Sequence, residues 1–255
     1  IKPNEILELL KEARYGAKIK RDFIEVIYPA YRQDLMHQVD VVEDIMLSYG
    51  YENMELEDNK IATIGEMNEI EKYTYAVGEI MLGMGLQEIL SYTLTNKNNL
   101  FQKMNLREEK IIEIENPVSE NWGVFRNWLL PSLMEFLSSN KHVEYPQKIF
   151  EIGDVVILDR AKETKTKDIR KLAVVVSNSN VSYEEISAML NELLSNIGVV
   201  YKLQETKHSS FIDGRVAKVL VNGRYVGLVG EINPLVLENW HLEMPVAAFE
   251  INLEI

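Results

Sequence analysis

The sequence predicts an α+β fold in which an antiparallel sheet is flanked by helices. Asn222-Gly223 separates two β-prone runs and is the strongest hairpin signal in the chain. A capping-box pattern from Ser182 to Glu185 opens a helix that Gly198 closes. Helical and strand-like segments alternate without any internal repeat, and hairpins join several of the strands. Such an order favours helices inserted between antiparallel strands.

Residues 1–57 predict a small unit in which a two-stranded hairpin lies between two helices. Its predicted elements are a helix from Asn4 to Arg14, strands over 17–20 and 23–28, and a helix from Asp40 to Ser48. Tyr15-Gly16 ends the first helix, and Pro29 ends the hairpin. We place the boundary with a second unit, residues 58–255, in the charged stretch between about Glu57 and Ile64.

The second unit has more elements, and hairpin-type connections join several of its strands. The predicted helices are 68–82, 98–104, 131–140, 182–198 and one that begins at Pro234. The predicted strands are 88–94, 111–116, 147–158, 171–176, 201–205, 216–221, 225–232 and 247–253. The highly charged residues 159–170 predict an exposed loop between two of these strands.

The composition excludes several classes of protein. There is no cysteine, so disulfides, thiolate metal sites and cysteine nucleophiles are excluded. The net charge of −13 argues against a surface that binds nucleic acid over its whole extent. No apolar run reaches the roughly 18 residues of a membrane span, and the start shows no signal-peptide pattern. We expect a cytoplasmic protein, and the start without Met predicts a piece of a longer chain.

Charge is unevenly distributed in the first unit. Residues 1–32 hold seven bases and five acids, a net charge of +2, whereas residues 33–60 hold eight acids and one lysine, a net charge of −7. This asymmetry predicts one mildly basic and one strongly acidic side. One hypothesis is therefore a nucleic-acid-binding module that holds tRNA or DNA. Its candidate contacts are Lys11, Arg14, Lys18, Lys20 and Arg21.

Four acids lie close together in the sequence within residues 31–51. They are Asp34, Asp40, Glu43 and Asp44. If a helix begins at Asp40, three of them share one helix face, where like charges repel. A local interpretation is available, because Asp40 followed by Glu43 is a capping-box pattern. The alternatives are a hard cation such as Mg²⁺, which binds through one or two carboxylates and waters, and a solvated face.

The motifs of an independent enzyme are missing. The four histidines (His37, His142, His208 and His241) are scattered and include no helical pair of the kind that binds zinc. The sequence has no Gly-Lys-Ser or Gly-Lys-Thr phosphate loop and no Gly-x-Ser-x-Gly nucleophile motif. We therefore predict no catalytic residue and no cofactor-binding residue besides the metal candidates.

The segment from Asn116 to Met134 combines aromatic residues with an arginine. Trp122 and Trp128 bracket Arg126, and Pro131 suits the first turn of a helix. Core packing of both tryptophans is one interpretation. The other is a protein–protein interface, where aromatic residues and arginine are enriched.

Several motifs follow one another in a defined order along the chain. They are Tyr31-Arg32-Gln33-Asp34, Asp40-Val-Val-Glu43-Asp44, Tyr49-Gly50-Tyr51, Asn116-Pro117-Val118-Ser119-Glu120, Leu129-Leu130-Pro131, Phe150-Glu151-Ile152-Gly153 and Gly230-Glu231-Ile232-Asn233-Pro234. In order and spacing they resemble the β subunit of phenylalanyl-tRNA synthetase across nearly the whole chain. The archaeal and eukaryotic kind of subunit is the most similar.

This resemblance implies two domains and a partner. Residues 1–57 would be most of a winged-helix-like domain called B5, and residues 58–255 a catalytic-like domain that keeps the class II synthetase sheet without its active site. The α subunit would make phenylalanyl-adenylate from ATP and charge tRNA(Phe), within an (αβ)2 heterotetramer. The resemblance also implies a Mg²⁺ site shared with the α subunit, with ligands falling on Asp34, Asp40, Glu43 and Asp44.

The residues themselves also favour a non-catalytic role. Class II catalysis resembles an arginine clamp on ATP, and arginine makes bidentate phosphate contacts that lysine cannot copy. Near Phe150-Glu151 the base is Lys148, and the predicted helix that begins at Pro234 carries no arginine. We therefore expect this chain to be inactive alone and hypothesise a scaffold of phenylalanine–tRNA ligase, in which residues 116–134 pack against the α subunit.

Overall fold

The structure, a computed structural model, describes residues 1–58, 60 and 63–254. It divides into two compact units, Ile1–Gly65 and Glu66–Ile255, here called unit 1 and unit 2. Part of the interval in which the sequence places a domain boundary, residues 59, 61 and 62, lies outside the described residues. The boundary between residues 57 and 58 stays a prediction.

Unit 1 contains a helix, a hairpin and a second helix, in the predicted order. Its elements are α1 (Pro3–Glu12), β1 (Gly16–Ile19), β2 (Ile24–Ile27) and α2 (Gln38–Tyr49). β1 and β2 pair antiparallel, and α1 contacts both β1 and α2. Leu10 of α1 is fully buried and Tyr15 is nearly so, which fixes α1 on the hairpin. The winged-helix assignment stays a prediction.

The start of α2 differs from the predicted one. His37 is the N-cap, and its Nδ1 accepts a hydrogen bond from the Val39 amide at 3.2 Å. The Asp40 carboxylate reaches back to accept the amides of Met36 and His37 at 2.7 and 2.8 Å. The predicted N-cap at Asp40 is wrong, because this acid occupies the third helical position, where a capping box places its acidic member.

Unit 2 is a mixed sheet with helices on both sides. Its α-helices are α3 (Glu69–Gly83), α4 (Leu130–Ser139), α5 (Tyr183–Asn196) and α6 (Pro234–Asn239). The predicted helix 98–104 is a short π-helix, Asn98–Gln102. Its strands are β3 (Gln87–Glu88), β4 (Leu94–Thr95), β5 (Val124–Phe125), β6 (Gln147–Leu158), β7 (Thr166–Ser177), β8 (Tyr201–Glu205), β9 (Phe211–Val221), β10 (Arg224–Ile232) and β11 (Val246–Asn252). The predicted α+β class is confirmed.

The main sheet has seven strands in the order β3-β6-β7-β11-β10-β9-β8. All its pairs are antiparallel except β3 with β6, which is parallel, so the predicted antiparallel sheet is mixed at this edge. β6 and β7 pair without interruption from Gln147↔Ser177 to Leu158↔Thr166. The predicted loop over 159–170 is therefore shorter, because β7 already begins at Thr166.

Helices cover both faces of this sheet. On one face, alternate residues of β6, β7 and β11 pack against α4 and α6; Ile149, Val175 and Ala248 are examples, buried with Leu133 and Trp240. On the other face, the intervening strand residues pack against α3 and α5. Examples from that second cluster are Phe150, Val174 and Phe249, buried with Met81 and Leu190. The two-residue period of a strand thus divides each strand between two hydrophobic cores.

Two predicted strands, 88–94 and 111–116, are wrong. Of residues 88–94, only Glu88 pairs in the main sheet, as the end of β3, and Leu94 begins β4, which forms a separate small sheet with β5. Residues 111–116 form a single antiparallel bridge, Glu113↔Val124. The backbone groups of 88–94 instead bond to varied partners: the Ile89 amide donates to Phe150 O at 2.9 Å, and the Arg126 amide to Thr93 O at 2.9 Å. Short-range alternation cannot distinguish such irregular bonding from a regular ladder.

Candidate functional site

In unit 1, Arg32 lies between two of the four predicted metal ligands. Its Nε and Nη2 donate to the two oxygens of Asp34 at 2.9 and 2.7 Å, a bidentate contact. Its Nη1 donates to Asp44 Oδ2 at 2.7 Å. The side chains of Arg32 and Asp44 are 25% and 20% exposed, so this pair is better shielded from water than a surface ion pair.

Tyr15 completes this arrangement from the end of α1. Its hydroxyl donates to Asp44 Oδ2, and its ring lies 5.7 Å from the Arg32 guanidinium carbon. Burial, and to a smaller extent the hydrogen bond to Asp44, raises the pKa of Tyr15 to about 12. The same hydrogen bond is the largest cause that holds the pKa of Asp44 below its usual range, and the hydrogen bond and positive charge of Arg32 lower it further. Arg32 likewise lowers the pKa of Asp34, so both carboxylates stay charged well into the acid range.

The other two predicted ligands are used differently. Asp40 accepts the backbone amides of His37 and Met36, which lower its pKa. The local interpretation of Asp40 as a capping residue therefore holds, although with His37 rather than Asp40 at the N-cap. Glu43 lies on the exposed side of α2.

The four acids do not fit a magnesium ion as they stand. Their oxygen atoms are the right donors, but Mg²⁺ requires ligands at about 2.0–2.1 Å in octahedral geometry. The guanidinium of Arg32 occupies the space between Asp34 and Asp44, and Asp40 is bonded to the backbone. Among the residues that the structure describes, no three His, Cys, Asp or Glu side chains are grouped so that they could hold a metal ion. Magnesium binding by these residues stays a prediction.

The basic residues of unit 1 are partly neutralised. Lys20 Nζ lies 3.5 Å from Glu25 Oε2, and Lys11 Nζ lies 4.0 Å from Glu8 Oε2. Because neighbouring acids offset part of the charge, the nucleic-acid-binding hypothesis gains no support from this arrangement.

In unit 2, a buried ion pair joins the segment after β5 to the sheet. Arg126 Nη1 lies 2.7 Å from Glu151 Oε1, and the two side chains are 3% and 0% exposed. Ser91 Oγ donates to Glu151 Oε2 at 2.6 Å, and Arg126 Nε donates to Asp154 O at 3.0 Å. A Cβ at Gly153 would overlap Arg126 Nη2, so the glycine makes room for the guanidinium.

A second buried carboxylate holds the start of α4. Glu250 Oε2 accepts the amides of Leu129 and Leu130 at 2.8 and 2.9 Å, and Lys171 Nζ lies 2.7 Å from Glu250 Oε1. An acid at a helix N-terminus satisfies amides that have no partner within the helix. Glu250 thus fixes α4 on β11 and closes one face of the sheet.

The positions expected to carry an arginine clamp hold other groups. Lys148 Nζ lies 3.2 Å from Glu185 Oε1 in the first turn of α5. α6 begins at Pro234 directly after β10 and has the sequence Pro-Leu-Val-Leu-Glu-Asn. Neither position offers the guanidinium fork that grips phosphates.

An exposed apolar patch lies beside this buried network. Its residues are Tyr92, Pro117, Val118 and Trp122, which we call the Tyr92–Trp122 patch; they line a shallow hollow of about 580 Å³. Tyr92 and Trp122 pack edge to face with their ring centres 5.0 Å apart, and their exposures are 74% and 39%. A concave exposed surface of this kind is typical of a docking site.

The structure divides the predicted contact segment 116–134 into two parts. Leu129, Leu130, Leu133 and Met134 are buried in the core of unit 2, and Trp128 packs against the same core. That part of the segment is not available to a partner, so this half of the interface prediction is wrong. The core interpretation holds for Trp128, whereas Trp122 remains at the surface.

Sequence reasoning missed Arg32 as the partner of the acids and Glu151 and Glu250 as buried carboxylates. The only sequence signal for Arg32 was its position two residues before Asp34. For the buried acids there was a stronger signal, since each lies within a strongly hydrophobic strand. An acid in such a strand needs a partner, because an unpaired buried charge is very costly.

Comparison with known sequences first defines the class. A family profile described as "tRNA synthetase B5 domain" matches residues 1–51. A second, described as "Phenylalanyl tRNA synthetase beta chain CLM domain", matches residues 39–253. The chain is therefore a protein of the aminoacyl-tRNA synthetase class.

The chain belongs to the family of phenylalanyl-tRNA synthetase β chains. It is 49% identical over 253 residues to a "Phenylalanine--tRNA ligase beta subunit" of Pyrococcus abyssi, covering 99% of this chain and 46% of that protein. It is 46% identical over 249 residues to the protein of the same name from Pyrococcus horikoshii, covering 98% of this chain and 45% of that protein. It is 40% identical over 252 residues to the protein of the same name from Methanocaldococcus jannaschii, covering 99% of this chain and 46% of that protein.

The chain thus spans slightly less than half the length of these relatives. Within residues 1–58, 60 and 63–254, no helix is both long and apolar enough to cross a membrane.

Proposed function

We propose that this chain is the supporting part of a phenylalanine–tRNA ligase β subunit, and that it holds an α subunit which performs the chemistry. The α subunit would activate phenylalanine with ATP and charge tRNA(Phe), in an (αβ)2 assembly in the cytoplasm. In this proposal the α subunit binds Mg²⁺ together with ATP, because the ion is commonly held by one or two carboxylates plus substrate phosphates. tRNA would be bound by the assembly as a whole.

The observation that carries the proposal is the Tyr92–Trp122 patch. Tyr92 and Trp122 supply large, rigid, apolar surfaces of the kind that dominate protein–protein binding energy. Ser91, next to Tyr92, and Arg126, four residues after Trp122, both bond to the buried Glu151 of β6. The patch is therefore exposed, and the residues next to it in the chain are bonded to the sheet.

The sheet supports the non-catalytic half of the proposal. Both of its faces carry packed helices, and Lys148 is paired with Glu185. Neither α6 nor Lys148 can make the bidentate phosphate contacts on which an ATP site of this class would rely.

The test is binding of the α subunit by this chain, measured by titration calorimetry and size-exclusion chromatography. We expect co-elution, and we expect Val118→Asp to weaken binding at least tenfold, because an acid would lose its water in an apolar contact. Val200→Asp is the matched control, since Val200 is another exposed valine in an irregular segment of unit 2. It should leave affinity within about twofold.

Equal effects of the two substitutions would contradict the assignment of the patch. If the chain alone fails to co-elute, the same pair of substitutions is compared in the full-length subunit. Unchanged affinity there for Val118→Asp would reject the proposal.

A further inference from the structure

We propose that the Arg32 guanidinium takes the place of a divalent cation between Asp34 and Asp44 in the acidic cluster of unit 1, so that these two acids need no bound metal to be held together. The cluster is Asp34, Asp40, Glu43 and Asp44. The inference concerns unit 1 alone and does not depend on the proposed function.

Arg32 satisfies the acids that a cation would otherwise have to neutralise. Its planar fork gives both oxygens of Asp34 a donor and reaches Asp44 Oδ2 with a third N–H. Guanidinium matches carboxylate geometry in this bidentate way, and its charge is permanent. One side chain thus makes the contacts to two carboxylates that a bridging Mg²⁺ would make.

A metal bound to the same two oxygens would have to displace Arg32. Asp34 Oδ2 and Asp44 Oδ2 each lie 2.7 Å from a guanidinium nitrogen, and Mg²⁺ would need both oxygens at about 2.0–2.1 Å. The ion would therefore compete with a positive group already in contact with both acids. Mg²⁺ also gives up its waters reluctantly, which makes this exchange unfavourable.

The remaining acids cannot supply an alternative cage. Asp40 is committed to the amides of Met36 and His37 at the start of α2, and breaking these bonds would uncap the helix. Glu43 is an exposed single carboxylate. A lone surface acid holds Mg²⁺ weakly against water.

Arg32 also joins three segments of the unit. Asp34 belongs to the loop after β2, Asp44 to α2, and Tyr15 to the connection between α1 and β1. Tyr15 donates to Asp44, and its ring lies within cation–π distance of Arg32. The guanidinium is thus the centre of a cross-link between α2 and the rest of unit 1.

The test uses Mn²⁺ as a paramagnetic substitute for Mg²⁺, with NMR of the chain and thermal melts in MgCl2 or EDTA. For the unaltered chain we expect no selective broadening of the Asp34 and Asp44 amide signals at stoichiometric Mn²⁺. We also expect the same melting temperature of unit 1 in either solution.

Arg32→Gln should lower the melting temperature of unit 1 by about 5 °C in EDTA, and MgCl2 should restore part of the loss. Asp40→Ala is the control: it removes the side chain that accepts the Met36 and His37 amides without freeing Asp34 and Asp44, so its loss of melting temperature should not respond to MgCl2. If Arg32→Gln fails to fold, Arg32→Lys keeps the charge without the fork and should show a smaller, metal-responsive loss.

Stoichiometric Mn²⁺ broadening of Asp34 and Asp44 in the unaltered chain, abolished by Asp34→Asn, would overturn the proposal. So would the same uptake by the chain in complex with an α subunit. A melting temperature that is equal in all variants would likewise reject Arg32 as the cross-link.

Discussion

Replacing Arg126 by methionine should strongly destabilise unit 2. The substitution keeps an apolar side chain about as long as the arginine stem but removes the guanidinium group, and with it the charge opposite Glu151, which is fully buried. Among the residues that the structure describes, Glu151 would keep Ser91 as its side-chain partner, with the hydroxyl at 2.6 Å and the amide at 3.4 Å. Removing one member of a buried ion pair costs about 3–5 kcal/mol, because the other charge is left unpaired in the interior. The melting temperature of a domain of this size should fall by about 6–20 °C.

Urea denaturation followed by tryptophan fluorescence measures this loss, since all three tryptophans of the chain lie in unit 2. The free energy of unfolding of the double variant Arg126→Met/Glu151→Gln should fall by less than the sum of the decreases in the two single variants, because the double variant leaves no unpaired charge. Lys167→Met is the control: its pair with Glu254 is well exposed and should contribute less than about 1 kcal/mol. A loss below about 1 kcal/mol for Arg126→Met, or strict additivity in the double variant, would refute the reasoning.

Three further outcomes are expected. Gly227→Ala should prevent folding, seen as insoluble protein, because its Cβ would overlap the Glu250 carbonyl oxygen and lie 2.8 Å from Ile251 Cα. Gly83→Ala, at the end of α3 with open space around it, should instead stabilise by up to about 1 kcal/mol in urea titration. Burial lowers the pKa of His208 below its usual 6.5, so its contribution to stability is complete above that pH and is lost as the pH falls through the lower folded pKa. His208→Phe should therefore flatten the change in urea midpoint between about pH 7 and 5.

Local chemistry made much of the fold predictable. Asn68 and Ser182 each accept a backbone amide at the start of a helix, where the sequence places α3 and α5. β8 has the predicted bounds, and the Asn222-Gly223 turn joins β9 to β10 as expected. In these cases one residue and its immediate neighbours determine the structure, so the sequence pattern is sufficient.

The predictions that are wrong concern structure that depends on contacts between residues far apart in the sequence. Nothing near Glu88 in the sequence indicates that its strand will be only two residues long and parallel to β6. The partner of Arg126 is 25 residues away, and that of Leu130 is Glu250, 120 residues away. Burial of Leu133 and Met134 depends on the same docking of α4. Such outcomes follow from tertiary packing, which overrides local preference.

The candidate site shows the same limit at shorter range. The sequence shows the four acids and predicts a capping role for Asp40, which the structure confirms with His37 rather than Asp40 at the N-cap. The contacts of Arg32 were not evident, because its two carboxylate partners come from different elements and Tyr15 from a third. A cluster of like charges in a sequence therefore says only that compensation is needed, and the fold determines whether a metal or a side chain provides it.

The closure of both sheet faces limits how this domain could be redesigned. Grafting guanidinium groups onto β6 or α6 would not by itself create a nucleotide pocket, because α4 and α6 pack on one face and α3 and α5 on the other, and the hollow between the start of α4 and the sheet has a volume of about 310 Å³. Excision of α4 would have to come first, and it would leave Glu250 without the two amides that it accepts. Conversion of this sheet into a catalyst is therefore a problem of removing a packed layer rather than of adding a few residues.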